Sequence, residues 1–113
     1  MRFLVSAESV DYGGPVSPKD AVAFFENLVI PSFQMLEKWE KEGKITGGGF
    51  AGQRAGCFIM EAASTEELSR TLGTLPLWAV TKWDIRAMVS FSSVLSIARE
   101  QANGLKAMAA HMP

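Results

Sequence analysis

Two carboxylates are the first candidates for proton-transfer chemistry in this chain, Glu8 and Glu61. Each lies at the end of a short apolar run, "RFLVSAE" from Arg2 to Glu8 and "RAGCFIMEAA" around Glu61. Read as strands, these runs alternate their side chains between two faces. Leu4, Ser6 and Glu8 then share one face, and Cys57, Ile59 and Glu61 share another. If the two strands are neighbours, both carboxylates are expected to line one cavity. A carboxylate in an apolar cleft is harder to ionise and can serve as a general base in a proton shift. The competing reading leaves both groups at strand ends in solvent.

The other candidates concern binding. Lys82, Asp84 and Arg86 alternate with Trp83, Ile85 and Ala87, which makes a polar strand face. Arg86 on that face can hold a substrate carboxylate through paired hydrogen bonds. A solvated or interface-facing charge ladder would use the same residues. Tyr12 and Trp78 fall in segments read as loops, where they suit the rim of a pocket for a small cyclic or aromatic ligand. Trp83 alternates with core positions and is read as packing. Arg54 falls in a turn and is read as exposed.

Several motifs are set aside. Gly47 to Gly52 satisfies G-x-G-x-x-G, but another strand follows where a dinucleotide site needs a helix. These glycines are better read as a bulge or a close backbone approach. Cys57 is the only cysteine, so an internal disulfide and zinc-type spacing are both absent, and it is read as a small hydrophobe. His111 is the only histidine and has no partner nearby in sequence. No metal or cofactor is expected.

The elements that must position these residues are short. The 113 residues suffice for one domain. Hydrophobic residues at 48% and charged residues at 20% indicate a globular chain. A net charge of −1 gives no electrostatic footprint for nucleic acid. No apolar run approaches the roughly 18 residues of a membrane span. With no secretory-type leader pattern, a cytoplasmic location is expected.

Arg2 to Glu8 reads as the first strand. Ser17 caps a helix with Pro18 at its first position. Val22, Phe25, Val29, Phe33, Leu36 and Trp39 form one face of that helix, with a kink or two abutting helices expected at Pro31. Gly43 ends it. Two strands follow, in "KITGGGFAG" and "RAGCFIMEAA", with a hairpin turn expected near Gly52 to Gly56. Ser64 and Glu67 form a capping box for a short helix with Leu68 and Leu72 on one face, stopped by Pro76. "VTKWDIRAMVSF" is the last strand. From about Ser92 a helix places Val94, Ala98, Leu105 and Met108 roughly on one side.

Strand, helix, strand, strand, helix, strand, helix is a ferredoxin-like βαββαβ order with an extra C-terminal helix, an α+β class. One sheet face is left uncovered, and a second copy is the usual cover. The expected organisation is a domain over residues 1–91 with a helical extension of the same domain over 92–113.

The block "STEELSRTLGTLPLW", Ser64 to Trp78, resembles the signature of the muconolactone isomerase-like family. It has a cap, Glu-Glu-Leu, a short helix and a Leu-Pro-Leu corner before the last strand. The upstream "EGKITGGGFAGQRAG" is similar to the family's helix end and hairpin. The resemblance covers about residues 1 to 90. It implies a dimeric α+β barrel, sometimes assembled further, and a proton shift within a small lactone ring without metal or cofactor. Where the family's isomerases carry charges on the long helix, this chain has Pro31-Ser32-Phe33-Gln34-Met35-Leu36. Three functions are carried forward: a cofactor-free isomerase on a small cyclic or aromatic-derived acid, a non-catalytic ligand-binding or assembly module, and a cofactor-free monooxygenase. The expected partners are a second copy or higher homo-oligomer and a small molecule.

Overall fold

The computed structural model describes residues 1–10 and 17–112. The elements are β1 (Arg2–Ser9), α1 (Pro18–Phe24), a π-helical turn (Phe25–Val29), α2 (Ile30–Lys41), β2 (Ile45–Gly49), β3 (Ala55–Glu61), α3 (Thr65–Leu72), β4 (Thr81–Met88) and α4 (Phe91–Ala110). The strands form one sheet in the order β2-β3-β1-β4, every pair antiparallel. This is the ferredoxin-like arrangement, with the two central strands drawn from the two βαβ halves.

Alternation along the strands decides where the core lies. Phe3 and Val5 of β1 and Phe58 and Met60 of β3 are buried on one face, with Ile45 beside them. Leu68 and Leu72 stand one turn apart on α3 and are fully buried against that face, and Leu75 completes the cluster. Leu36 and Trp39 of α2 pack against it as well. The cap of α3 follows the expected chemistry with one change. Ser64 Oγ accepts from the Glu67 N–H at 3.1 Å, while Glu67 Oε2 reaches past the cap to accept from the Ala63 N–H at 2.7 Å.

The long helix differs from the single stripe read from its spacing. Proline at 31 has no N–H and its ring would press on the carbonyl of residue 27 in an α-helix. The turn from Phe25 to Val29 widens to π geometry, with the Ile30 N–H bonded to the Phe25 carbonyl. That places an extra residue in the turn and shifts the phase of the apolar face. Leu36 and Trp39 reach the core, whereas Val22, Phe25 and Phe33 stay exposed.

The hairpin turn runs over Phe50–Arg54, two residues earlier than the spacing suggested. Gly52 sits within it at φ +73°, a conformation that a side chain disfavours. Gly56 lies inside β3, and Gly47 faces Phe58 across the pair. A Cβ at Gly47 would run into the Cys57 carbonyl and the Phe58 backbone, so the close approach of β2 to β3 requires glycine there.

The chain turns into β4 at Leu75-Pro76-Leu77. Ser32 of α2 is 1% exposed, and its Oγ accepts from the Leu77 N–H at 2.9 Å. Thr81 Oγ1 donates to the Leu77 carbonyl at 2.7 Å. Leu77 is thereby held at both its backbone polar groups. The corner delivers Trp78 against Trp83, with ring centroids 5.4 Å apart and planes 27° apart.

Candidate functional site

The face of the sheet opposite the core has no cover among the described residues. By register it carries Arg2, Leu4, Ser6 and Glu8 from β1, Ala55, Cys57, Ile59 and Glu61 from β3, and Lys82, Asp84, Arg86 and Met88 from β4. Leu4, Cys57, Ile59 and Met88 are half-buried, and the charged groups around them are exposed. This is an apolar centre with a charged rim.

The register corrects one expectation. Glu8 and Glu61 share this face but not a cavity. Glu61 stands opposite Arg2, and Glu8 stands opposite Ala55 on one side and Lys82 on the other. Antiparallel pairing sends β1 and β3 in opposite directions, so residues at both C-terminal ends are about 20 Å apart at roughly 3.3 Å per residue. Each lines its own depression. Glu8 borders a small one of about 260 Å³ with Ser6, Phe50, Lys82 and Asp84. Glu61 borders the larger cleft, about 530 Å³, at the end of the β2–β3 pair; Arg2, Thr46 and Ile59 line it from the open face, and Trp39, Met60, Glu67 and Thr71 from the helix side.

The charges in the larger cleft are not equally available. Glu67 is engaged at the cap of α3. Lys44 Nζ lies 3.0 Å from Glu42. Its hydrogen bond holds the Glu42 carboxyl below the ordinary carboxylate range; slight desolvation opposes this, and the charges of Lys44 and Lys38 add to it. Arg2 and Glu61, directly across the strand pair, take no part in any side-chain hydrogen bond or ion pair among the described residues. They form a carboxylate and a guanidinium that the fold does not use.

Arg86 stands opposite Leu4, two strands from Glu61, and pairs with Asp84 at 3.1 Å in an exposed position. It shares the open face with Glu61 and Arg2. Trp78 does not. It stacks on Trp83, which packs on the core side, and accepts a 3.2 Å hydrogen bond from Trp83 Nε1 at its carbonyl. Trp78, expected at the rim of a pocket, therefore lies on the other side of the sheet from Arg86 and the two carboxylates. Tyr12 lies outside the described residues. Arg2 was not singled out from the sequence, although the strand order alone places the start of β1 beside the end of β3.

Among the described residues no group of three or more His, Cys, Asp or Glu side chains is placed to hold a metal ion. Nor is any helix among them long and apolar enough to cross a membrane.

Comparison with solved structures finds the crystal structure of muconolactone isomerase, determined at 3.3 Å resolution. The match covers 80% of this chain and 90% of that one, at a TM-score of 0.62 and 22% sequence identity. The chain has a muconolactone isomerase-like fold. No family model matches the sequence, and no curated protein does. At 22% identity the muconolactone isomerase likeness concerns the fold alone.

Proposed function

We propose that this chain is a cofactor-free, muconolactone isomerase-like enzyme that shifts a proton within a small cyclic acid, such as an unsaturated lactone bearing a carboxylate. The observation that supports this most is the Arg2–Glu61 couple. It stands unpaired in a cleft of about 530 Å³, within the roughly 300–1,000 Å³ of small-molecule sites.

In this reading Glu61 is the general base. Its carboxylate takes a proton from the ring γ-carbon of the conjugated lactone, and the electron pair moves through the double bond onto the carbonyl oxygen. The protonated Glu61 returns the proton to the carbon beside the carbonyl. The double bond moves, and nothing is oxidised or reduced. Arg2 pairs with the substrate carboxylate in bidentate fashion. Lys44 adds positive potential where the enolate charge develops. Arg86, further along the same face, orients larger substrates. Glu8 faces Lys82 in register and is the lesser candidate for the base.

The cleft is open in a single chain. A second copy laid against the uncovered face would exclude water from it, so the reading includes a homodimer, in the cytoplasm. Steady-state conversion of muconolactone and related unsaturated lactone acids tests it. Glu61→Gln should lower kcat by about 10²–10⁴-fold, the range for losing a general base. Unchanged turnover would remove Glu61 from the mechanism.

The half-buried apolar centre of the face, Leu4, Cys57, Ile59 and Met88, favours a second reading: a non-catalytic assembly module whose sheet face only makes the dimer. That reading expects no turnover of any such lactone, with dimerisation intact.

A further inference from the structure

α4 buries none of its residues. Phe91, Val94, Leu95, Ile97, Leu105, Met108 and the following Met112 are between 44% and 91% exposed. The chain is drawn out accordingly. Its radius of gyration is 20.4 Å and its longest dimension 73 Å, where a compact chain of this length has a radius of about 13 Å. Most helical stability in proteins comes from packing an apolar face, and α4 has no such packing among the described residues, so a partner is expected to hold it.

The spacing of its residues says what kind of partner. Within α4, Phe91, Val94, Ala98, Gln101, Leu105 and Met108 follow one another at alternating steps of three and four. That is the heptad seam by which two helices keep facing each other. Arg99, Glu100, Asn103 and Lys106 lie off the seam. The seam runs for about 26 Å at roughly 1.5 Å per residue.

Among the described residues nothing covers this helix. Only Val89 and Ser90 separate β4 from α4, and Ser90 caps the helix, its Oγ accepting from the Ser93 N–H at 3.1 Å. The helix thus leaves the sheet on a set heading, with no loop on which to fold back. The exposed apolar residues at the long helix, Val22, Phe25, Ile30 and Phe33, are broken in phase by the π turn and span about two-thirds of the seam's length. The surface that matches α4 in length and spacing is another α4.

We propose that α4 is an assembly helix that pairs along this seam with α4 of a second copy of the chain. Gln101 lies near the middle of the seam, and in a parallel pair it meets the other Gln101. A polar residue at one seam position sets register at some cost in stability. The pairing is independent of the catalytic reading and of any contact between sheet faces.

Oxidative cross-linking of the full chain tests it, in a Cys57→Ser background. Gln101→Cys should form a covalent dimer at least ~10-fold faster than Asn103→Cys, because pairing raises the effective concentration of seam thiols and not of outer ones. Adding Leu105→Glu to Gln101→Cys, which puts a charge in the seam, should cut that rate to the Asn103→Cys level. Equal rates for the two cysteine positions, or a fast Gln101→Cys cross-link that survives Leu105→Glu, would overturn the proposal. A sheet-face dimer lacking α4 pairing would give equal rates, so the outcome separates the two interfaces.

Discussion

Removing the Ser32 hydroxyl should loosen the corner that launches β4. Ser32→Ala takes away the acceptor for the Leu77 N–H at a site that is 1% exposed, too closed for water to replace it. A buried donor left without a partner costs about 1–3 kcal/mol. At roughly 2.1 cal/mol/K of unfolding entropy per residue, this chain changes by about 0.24 kcal/mol per degree, so Tm should fall by about 4–13 °C. Thermal unfolding followed by circular dichroism gives the first reading. Tryptophan emission gives the second. Leu77 precedes Trp78, and the Trp78–Trp83 stack depends on the corner, so the emission should move to longer wavelength in the folded variant. Thr81→Val removes the bond to the carbonyl of the same residue, so the two substitutions should couple in a double-mutant cycle by about 0.5 kcal/mol or more. A Tm within about 1 °C of wild type, with unchanged emission, would refute the reasoning that this hydrogen bond carries the corner.

Other outcomes follow from the same packing. Gly47→Ala should destabilise by at least about 2 kcal/mol, because its Cβ meets strand backbone that cannot move aside, while Gly48→Ala at an open position should stay within about 1 kcal/mol; urea unfolding distinguishes them. Leu68→Ala removes a fully buried side chain between α3 and the sheet and should cost about 2–5 kcal/mol by the same measurement. The Glu42 carboxyl is held below its ordinary value near 4.5, so its pairing with Lys44 stabilises the fold above that pH and is lost as pH falls through the folded value. Glu42→Gln should therefore narrow the stability gap to wild type under acid and leave it widest near neutrality, with a small amplitude because the group is exposed.

What could be read from the sequence was local. The Ser64–Glu67 cap, the Leu68 and Leu72 pair and the alternation in β4 depend on neighbours within a few residues, and each has its expected place. The strand order followed from the succession of those elements. The pairing of Glu8 with Glu61 failed because a shared face says nothing about position along the strand; register sets that, and antiparallel register sends the two ends apart. Ser32 was illegible for another reason. Its partner Leu77 lies 45 residues away, and a serine in a helix gives no local sign of such a bond. The π turn shows the opposite limit: Pro31 announced a disturbance, but whether the helix would kink or widen depended on the geometry of the whole turn. The spacing in α4 revealed an apolar side and left open that nothing among the described residues would cover it.

In the proposed reaction Glu61, beside Arg2, moves a proton in the cleft at the end of the β2–β3 pair. Deuterium incorporation into muconolactone in D2O, followed by NMR, reads that step directly. The wild-type protein should exchange the ring proton well above the uncatalysed rate. Glu61→Gln should lose this exchange by about 10²-fold or more. Arg2→Gln should weaken substrate saturation, while exchange at saturating substrate persists. Exchange that survives Glu61→Gln, or a wild-type rate no faster than buffer, would contradict the claim.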